Sequence, residues 1–320
     1  MELIQLAKEI INGRRLKRGE NLSFFIDCDL KELCEGADLI REAFLQNKAD
    51  LCSIVNGRSG KCPEDCKYCA QSVFNKTDCE VYDFIDEETI VNACKMNEKE
   101  GVNRFSIVTS GRALTGGEFD RAILAYKRMK RECKIELCAS MGFVTKKQLE
   151  ELKAAGVTSY HHNIETSKRF FPQICTTHTY EMKINTLKMI KEAGLKVCSG
   201  GIIGMGETFE DRIDMAVSLS EIPVDSIPVN MLMPIKGTPF EKLERMNEDD
   251  ILRTIAIFRY INPTAHIRLG AGRALISEDG KIAFKSGASA TITGNMLTTA
   301  ACATIQSDIK MLKSLGMEIS

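Results

Sequence analysis

The stretch KIELCASMGFVTKKQLEELKAAGVTSYHHNIE, residues 134–165, contains the pattern that decides the fold. Two short runs, 134–140 and 157–165, alternate apolar and β-branched residues as strands do. Between them, TKKQLEELKAAG has the apolar spacing of an amphipathic helix and ends in a glycine, as expected at a helix C-terminus. The stretch therefore predicts a strand–helix–strand unit.

The same rhythm repeats on both sides of this unit. The candidate strands are 51–56, 103–110, 134–140, 157–165, 195–204, 224–232, 265–272 and 288–294. Eight strands, each followed by a helix or loop, predict an α/β protein with a (β/α)8 barrel of the TIM type, and an open doubly wound sheet is the alternative. We expect residues 1–48 to form an N-terminal helical extension and residues 49–320 to form the barrel domain as a single globular unit.

Composition narrows the class of protein. The 320 residues carry a formal net charge of -1 without a long basic run, so nucleic acid is not the expected partner. No apolar run approaches the ~18–20 residues that cross a bilayer, and residues 1–20 resemble an amphipathic helix rather than a signal peptide. The 13 cysteines are therefore expected to be reduced thiols in a cytoplasmic protein.

Three of the cysteines follow the first candidate strand closely. In GKCPEDCKYCAQS, residues 60–72, Cys62, Cys66 and Cys69 have the spacing C-x3-C-x2-C. Structural zinc usually takes four ligands, often as two pairs, and no C-x2-C partner pair occurs downstream. An iron–sulfur cube held by three cysteines leaves one iron free to chelate an amine and a carboxylate of a small molecule. The pattern favours a 4Fe–4S cluster at the C-terminal end of a barrel strand, where active sites of such barrels lie.

This spacing resembles the radical S-adenosylmethionine (radical SAM) superfamily, and Tyr68 matches an aromatic position of that family. The resemblance implies that the open iron binds SAM and that electron transfer splits it to a 5′-deoxyadenosyl radical, which abstracts hydrogen. Further motifs resemble the biotin synthase family: YHHNIETS, TYEMKINTLKMIKEAGLKVCSGGIIGMGET, SIPVNML, KGTPF and IRLGAGR. They imply insertion of sulfur into dethiobiotin to form the thiophane ring of biotin.

The biotin synthase resemblance also implies a second, auxiliary iron–sulfur cluster that donates the sulfur. It is usually a 2Fe–2S cluster held by three cysteines and an arginine, and the matching positions here are Cys138, Cys198 and Arg268. The third cysteine position is occupied by Ser106, a poorer iron ligand than a thiolate. Our hypothesis is that Cys52 replaces it. Cys52, Cys138 and Cys198 would hold a rebuilt cluster, with four irons and an extra sulfide as one form of it. Arg268 would be a nearby charge, and ligation by Ser106 is the alternative.

For SAM, the resemblance implies contacts from Asn163 and Glu165 to the ribose, from Lys183 to the carboxylate and from Ile202 to the adenine. Lys183 stands where an arginine is usual, so it keeps the charge but loses the bidentate geometry. Tyr68, next to the cysteine loop's last ligand, completes this set.

For dethiobiotin, the resemblance implies that Asn163 and Asn230 bind the ureido ring and that Thr298 and Thr299 receive the carboxylate. The neighbouring His161 and His162 are expected to face opposite ways on a strand and to serve polar packing rather than metal binding. No role is assigned to the other cysteines, which include Cys28, Cys34, Cys94 and Cys175.

Partners and rival functions complete the expectations. The resemblance implies an electron donor such as flavodoxin or ferredoxin and a homodimeric state. An iron site with an open position is expected to be sensitive to oxygen, so the protein is expected to need anaerobic handling. Another radical SAM enzyme, such as a hydrogenase maturase or a methylornithine synthase, is the first alternative. A non-enzymatic iron–sulfur protein for electron transfer or cluster delivery is the second.

Overall fold

A closed parallel sheet forms the centre of the computed structural model, which describes residues 2–294 and 303–319. The strands are β1 Lys48–Arg58, β2 Arg104–Thr109, β3 Glu136–Ser140, β4 Val157–His161, β5 Lys196–Cys198, β6 Gly201–Ile203, β7 Ser226–Met231, β8 His266–Leu269, β9 Ala290–Ile292 and β10 Glu318–Ile319. Neighbours follow the order β1-β2-β3-β4-β5-β7-β8-β9, and β9 pairs back with β1. The predicted (β/α)8 barrel is confirmed.

The barrel closes where Cys52 of β1 pairs with Ile292 of β9. The short β10 adds to the start of β1, and β6 pairs with β7. All these pairings are parallel, so the loops that follow the strands collect at one end of the barrel. The cysteine loop after β1 therefore lies at the same end as the loops after β4 and β7.

Helices surround the sheet and precede it. They are α1 Leu3–Ile11, α2 Phe24–Asp27, α3 Leu30–Leu45, α4 Glu87–Lys99, α5 Gly116–Glu132, α6 Lys146–Ala154, α7 Phe171–Ile174, α8 Tyr180–Glu192, α9 Phe209–Glu221, α10 Glu248–Ile261, α11 Ser277–Phe284 and α12 Ile305–Ser314, with a 3-10 turn at Arg273–Leu275. Thr145 begins α6 with a reciprocal capping box to Gln148. After α6 and α8, Gly156 and Gly194 adopt the positive φ that the sequence predicts at these helix ends.

The candidate strand 195–204 is interrupted, which the pattern does not predict. It forms β5 and β6, separated by Ser199 and Gly200. A Cβ on Gly200 would lie 2.0 Å from the carbonyl oxygen of Pro228, and one on Gly201 would lie 2.3 Å from that of Glu165. These glycines are needed because the chain's own backbone passes this close.

The N-terminal helices pack on the outside of the barrel. Helix α1 contacts α3, and α3 contacts α10, while the hydroxyl of Tyr260 donates to the carbonyl oxygen of Leu3 (3.0 Å). The division into 1–48 and 49–320 stays a prediction, although β1 begins at Lys48, beside that boundary. Among the helices of the described segments, none has both the length and the apolar character needed to cross a bilayer.

Candidate active site

The cysteine loop is fixed by its own backbone and by one amide side chain. The N–H of Cys62 donates to the carbonyl oxygen of Gln71 (3.0 Å), and the N–H of Cys69 donates to that of Cys66 (3.1 Å). The side-chain amide of Asn75 donates to the carbonyl oxygens of both Cys66 (3.1 Å) and Cys69 (2.8 Å). These bonds hold three half-buried thiols in one short loop.

The thiols of this loop are suited to become thiolate ligands. Burial raises the pKa of Cys62, and it raises the pKa of Cys69 to about 11. Backbone N–H groups act in the opposite direction, those of Glu64 and Gly111 on Cys62 and that of Gln71 on Cys69, because they stabilise the thiolate. Three closely spaced thiols, two of them with N–H donors at the sulfur atom, are the donor set of an iron–sulfur cluster, so the loop fits the 4Fe–4S group.

The five residues predicted to bind SAM lie together around Glu165. Its carbonyl oxygen accepts from the N–H of Ile202 (2.9 Å), and its carboxylate accepts from the amide of Asn163 (3.4 Å) and lies 3.9 Å from the ammonium of Lys183. Burial raises the pKa of Glu165, while Lys183 and the hydroxyl of Tyr68 oppose the shift. The structure thus brings these residues together; the part of SAM that each contacts stays a prediction.

The two amides predicted to bind dethiobiotin are held in fixed orientations. The side chain of Asn163 accepts from a backbone N–H at the β5–β6 break (3.0 Å). The side chain of Asn230 accepts from the N–H of Ala271 (3.0 Å) and donates to a β6 carbonyl oxygen (3.1 Å). Thr298 and Thr299, predicted for the substrate carboxylate, lie outside the described residues.

A cavity of about 740 Å³ lies inside the barrel, and all the predicted auxiliary-cluster residues line it. Cys52, Ser106, Cys138 and Cys198 are on β1, β2, β3 and β5, and Arg268 is on β8. Ser106 pairs in register with Cys138 on the adjacent strand. The interior of a TIM barrel is normally filled by side chains, so this cavity offers room for a group that its thiols could bind.

The three cavity thiols are buried where a thiolate is unfavourable on its own. Burial raises the pKa of Cys52 to about 11, of Cys138 to about 12 and of Cys198 to about 11. Each lies near enough to another of the three for that neighbour's charge to raise its pKa further, whereas Arg268 lowers all three values. Metal coordination would stabilise the thiolates at this site, so the thiols fit a second cluster.

Arg268 is already fully engaged with the protein. Its Nε donates to the hydroxyl of Ser226 (3.2 Å), and one terminal nitrogen donates to the carbonyl oxygens of Asp50 (3.3 Å) and Thr291 (3.2 Å). The other terminal nitrogen donates to the carboxylate of Asp50, which also accepts from Arg104 at 2.6 Å. Arg268 is therefore a buried cation with its own counterion.

Ser106 differs from Arg268 because its hydroxyl makes no hydrogen bond to the described part of the protein. Within residues 2–294 and 303–319, the buried Ser106 oxygen has no hydrogen-bond partner. Buried hydroxyls in proteins are nearly always paired. This unpaired oxygen in the cavity wall is consistent with an occupant that supplies its partner.

The two neighbouring histidines have different surroundings: His161 ends β4, and His162 follows it. His161 lines the cavity, with Nδ1 3.4 Å from the sulfur of Cys198. His162 is buried and packs edge-on against Phe143, with ring centroids 4.9 Å apart. The sequence prediction of two packing residues therefore misses the contact between His161 and the cavity thiol.

Sequence reasoning also misses Asp50, Asn75, Cys175 and His178. Asp50 directly precedes the candidate strand 51–56 and lies within β1 of the structure. Its position beside this apolar run is the sequence signal that its charged side chain is buried and paired. Asn75 lies six residues beyond the cysteine spacing and has no motif of its own. Cys175 and His178 form a C-x2-H pair, but only the fold brings them beside Cys66, at a sulfur–sulfur distance of 3.8 Å.

Solved structures with the same fold include a methylornithine synthase and a hydrogenase maturase. The chain matches methylornithine synthase (PylB) with a TM-score of 0.84 at 18% identity, covering 98% of this chain and 97% of that one. It matches the FeFe-hydrogenase maturase HydG of Carboxydothermus hydrogenoformans with a TM-score of 0.82 at 16% identity, covering 100% of this chain and 79% of that one. At these identities the likeness shows the fold alone.

Sequence similarity is far higher to another group of proteins. A radical SAM superfamily model matches residues 58–219, and a biotin and thiamin synthesis associated domain matches residues 228–318. A biotin synthase of Clostridium beijerinckii is 60% identical over 98% of this chain and 99% of its own length. One of Alkaliphilus metalliredigens is 57% identical over 100% of both chains. The chain belongs to the biotin synthase family of the radical SAM superfamily.

Proposed function

We propose that this chain inserts sulfur into dethiobiotin, with SAM as the radical source, and so forms the thiophane ring of biotin. Family membership over the full chain supports the reaction. The observation that carries the proposal is the second group of thiols, Cys52, Cys138 and Cys198, in the cavity inside the barrel. Together with the cysteine loop, it offers one site for radical generation and another for a sulfur donor.

The residues around Glu165 would bind and orient SAM. Cys62, Cys66 and Cys69 would hold a 4Fe–4S cluster, which with SAM bound would supply a carbon radical able to remove hydrogen from an unactivated C–H bond. Lys183 would meet the carboxylate of SAM with its ammonium group, and Glu165 would accept from the ribose hydroxyls, since ionised acceptors make strong hydrogen bonds. Lys183 is buried and most of Glu165 is covered, so access of water to a reactive species at this site would be limited.

The fixed amides of Asn163 and Asn230 would recognise the ureido ring of dethiobiotin. An amide offers both a donor and an acceptor, as the ureido group does. Because each side chain is already oriented by backbone bonds, little ordering is required when the substrate binds. Thr298 and Thr299 stay the predicted partners of the substrate carboxylate.

The cavity thiols would hold the auxiliary cluster, with Cys52 in the place of the ligand that Ser106 lacks. Arg268 supports this choice, because a guanidinium that is paired with Asp50 and bonded through all three nitrogens is better suited to act as a charge than as a ligand. We propose a four-iron cluster with an extra sulfide. A 2Fe–2S cluster that uses Ser106 or Arg268 is the competing arrangement.

A test of the activity measures biotin by mass spectrometry after anaerobic incubation with dethiobiotin, SAM and a reductant. A hydrogenase maturase or methylornithine synthase chemistry predicts SAM cleavage without biotin. A non-enzymatic electron-transfer or cluster-delivery role predicts a redox-active cluster without SAM cleavage.

We propose flavodoxin or ferredoxin as the physiological reductant. We also propose that the enzyme is a cytoplasmic homodimer.

A test of the auxiliary site counts iron and sulfide in the Cys52→Ala variant. Loss of the auxiliary share is expected, with the SAM cluster retained. Cys94→Ala is a matched control, because Cys94 is equally buried but lies in α4, outside the residues that line the cavity. Unchanged iron and sulfide in Cys52→Ala would show that Cys52 is not a ligand.

A further inference from the structure

A thiol without a role in the proposed reaction lies against the cysteine loop. Cys175 directly follows α7 and is buried, at 3% exposure. Its sulfur lies 3.8 Å from the sulfur of Cys66, although 109 residues separate the two in the chain. Cys66 itself is only half-buried. The fold therefore places a thiol that small solutes can reach in contact with one that they cannot.

The backbones that carry these two thiols are held side by side. The N–H of Lys67 donates to the carbonyl oxygen of Ile174 (2.9 Å), so the bond joins the immediate neighbours of both cysteines. Backbones joined by such a bond run about 5 Å apart. A disulfide needs a Cα separation of about 4.4–6.8 Å. A bond between Cys66 and Cys175 therefore requires movement of the side chains but not of the backbone.

Asp65 fixes the segment after α7 against the loop. Its carboxylate accepts from the N–H groups of Thr176 (2.8 Å) and Thr177 (3.2 Å), and from the thiol of Cys175 (3.1 Å). When Cys175 forms a bond to sulfur, it gives up the last of these contacts, while both backbone contacts can stay. Because Asp65 is the residue before Cys66, these contacts keep the two thiols adjacent.

We propose that hydrogen peroxide converts this pair in the cluster-free chain into a disulfide, with Cys66 as the reacting thiol and Cys175 as the resolving thiol. The sulfur of Cys66 attacks the peroxide, whose O–O bond breaks, and Cys66 becomes a sulfenic acid as water leaves. The sulfur of Cys175 then attacks that of Cys66, so the S–S bond forms, the S–O bond breaks and a second water leaves. The thiol pair loses two electrons, and the peroxide gains them.

The disulfide would keep an oxidised cysteine loop recoverable. This consequence rests on the proposed function, in which Cys66 is a ligand of the SAM cluster, so the oxidised chain cannot take up that cluster until a dithiol reduces the bond. A sulfenic acid without a neighbouring thiol is oxidised further to a sulfinic acid, which thiols do not reduce. Cys175 would prevent this loss at Cys66.

The disulfide is tested on the cluster-free full-length chain. After treatment with stoichiometric hydrogen peroxide and alkylation of the remaining thiols, mass spectrometry of the digest should find the Cys66 and Cys175 peptides joined, and dithiothreitol should separate them. Cys34→Ser, which removes a half-buried thiol of α3, is the control and should form the same link. Absence of the link, or a link from Cys66 to Cys62 or Cys69 in its place, would overturn the proposal.

Recovery of cluster binding is a second, separate measurement. Peroxide-treated chains are reduced with dithiothreitol and reconstituted anaerobically, and iron and sulfide are counted relative to each chain's untreated content. The native chain should regain its content. Cys175→Ser should lose the share of the SAM cluster and show sulfinic acid at Cys66. Equal recovery in both chains would contradict the protective role. Neither measurement depends on biotin formation, so a failure here is distinguishable from a failure of the proposed function.

Discussion

The guanidinium of Arg268 is bonded to the carboxylate of Asp50, although 218 residues separate them in the chain. Asp50 also accepts from Arg104 at 2.6 Å, so one buried carboxylate serves two cations. This network lies in the wall of the cavity next to Cys52 and Cys198, whose pKa values Arg268 lowers. The relationship links the stability of the barrel to the electrostatics of the proposed auxiliary site.

Removing the negative charge of Asp50 should destabilise the fold. Asp50→Asn leaves Arg268 buried without its counterion, and breaking a buried pair in this way typically costs about 3–5 kcal/mol. The measurement is urea unfolding of the cluster-free protein under reducing conditions. Asp120→Asn, at an exposed position of α5, is the control and should change little. A native-like free energy of unfolding in Asp50→Asn would show that the network contributes nothing.

The same carboxylate should make stability depend on pH. Burial would raise the pKa of Asp50, but Arg268 and Arg104 hold it below its ordinary value. A lowered pKa in the folded state means that the contribution is fully present above the ordinary pKa of about 3.9 and is lost as the pH falls through the folded value. The free energy of unfolding should therefore fall more steeply in acid for the native chain than for Asp50→Asn. Parallel pH profiles would contradict the assignment.

Arg268 should prove dispensable as a ligand. Arg268→Lys keeps the positive charge but removes the planar guanidinium. Because we propose that Arg268 acts only through its charge, the auxiliary iron and sulfide should stay at the native content. Cys138→Ala, which removes a proposed ligand from the same cavity, should lose them. If Arg268→Lys loses as much iron as Cys138→Ala, or if its Mössbauer spectrum shows a changed iron site, then Arg268 is a ligand.

Exchanging the ligand between Cys52 and Ser106 should change the type of cluster. Ser106→Ala alone should leave iron and sulfide counts unchanged. Cys52→Ala combined with Ser106→Cys restores a cysteine at the position that the family uses, so a 2Fe–2S cluster should form in place of the four-iron one. Mössbauer spectroscopy distinguishes the two. An unchanged spectrum in the double variant would show that Cys52 does not determine the cluster.

Glu165 should matter for SAM affinity rather than for cluster content. Glu165→Gln removes an ionised acceptor, and hydrogen bonds to charged groups contribute about 1.5–3 kcal/mol, so the Kd for SAM should rise roughly 10- to 100-fold. Equilibrium binding to the anaerobic cluster-loaded protein measures it. Glu181→Gln, on an exposed face of α8, is the control. Native affinity in Glu165→Gln would remove this residue from the SAM site.

The fold follows from local patterns to a large extent. All eight candidate strands contain a strand of the barrel, because each is a short apolar run that is bounded by turn or helix-capping residues. The break after β5 is not predictable from periodicity. It lies where Gly200 closely approaches Pro228 of β7, a residue that is distant from it in the sequence pattern.

The candidate site divides in the same way. Cys62, Cys66 and Cys69 are recognisable because their spacing is local. The pairing of Asp50 with Arg268, and of Cys66 with Cys175, depends on which strands and loops become neighbours, and neither has a signal in the spacing of residues. The cavity residues Cys52, Cys138, Cys198 and Arg268 are predicted from the family resemblance, whereas these two pairs are found only when the barrel is closed.

The central claim is that this chain transfers sulfur from its own auxiliary cluster to dethiobiotin. The most direct measurement is a single anaerobic turnover with protein reconstituted from isotopically labelled sulfide, followed by mass spectrometry of the product. The native chain should yield labelled biotin, while Cys52→Ala should cleave SAM to 5′-deoxyadenosine but yield none. Unlabelled biotin from the native chain, or labelled biotin from Cys52→Ala at the native amount, would contradict the account.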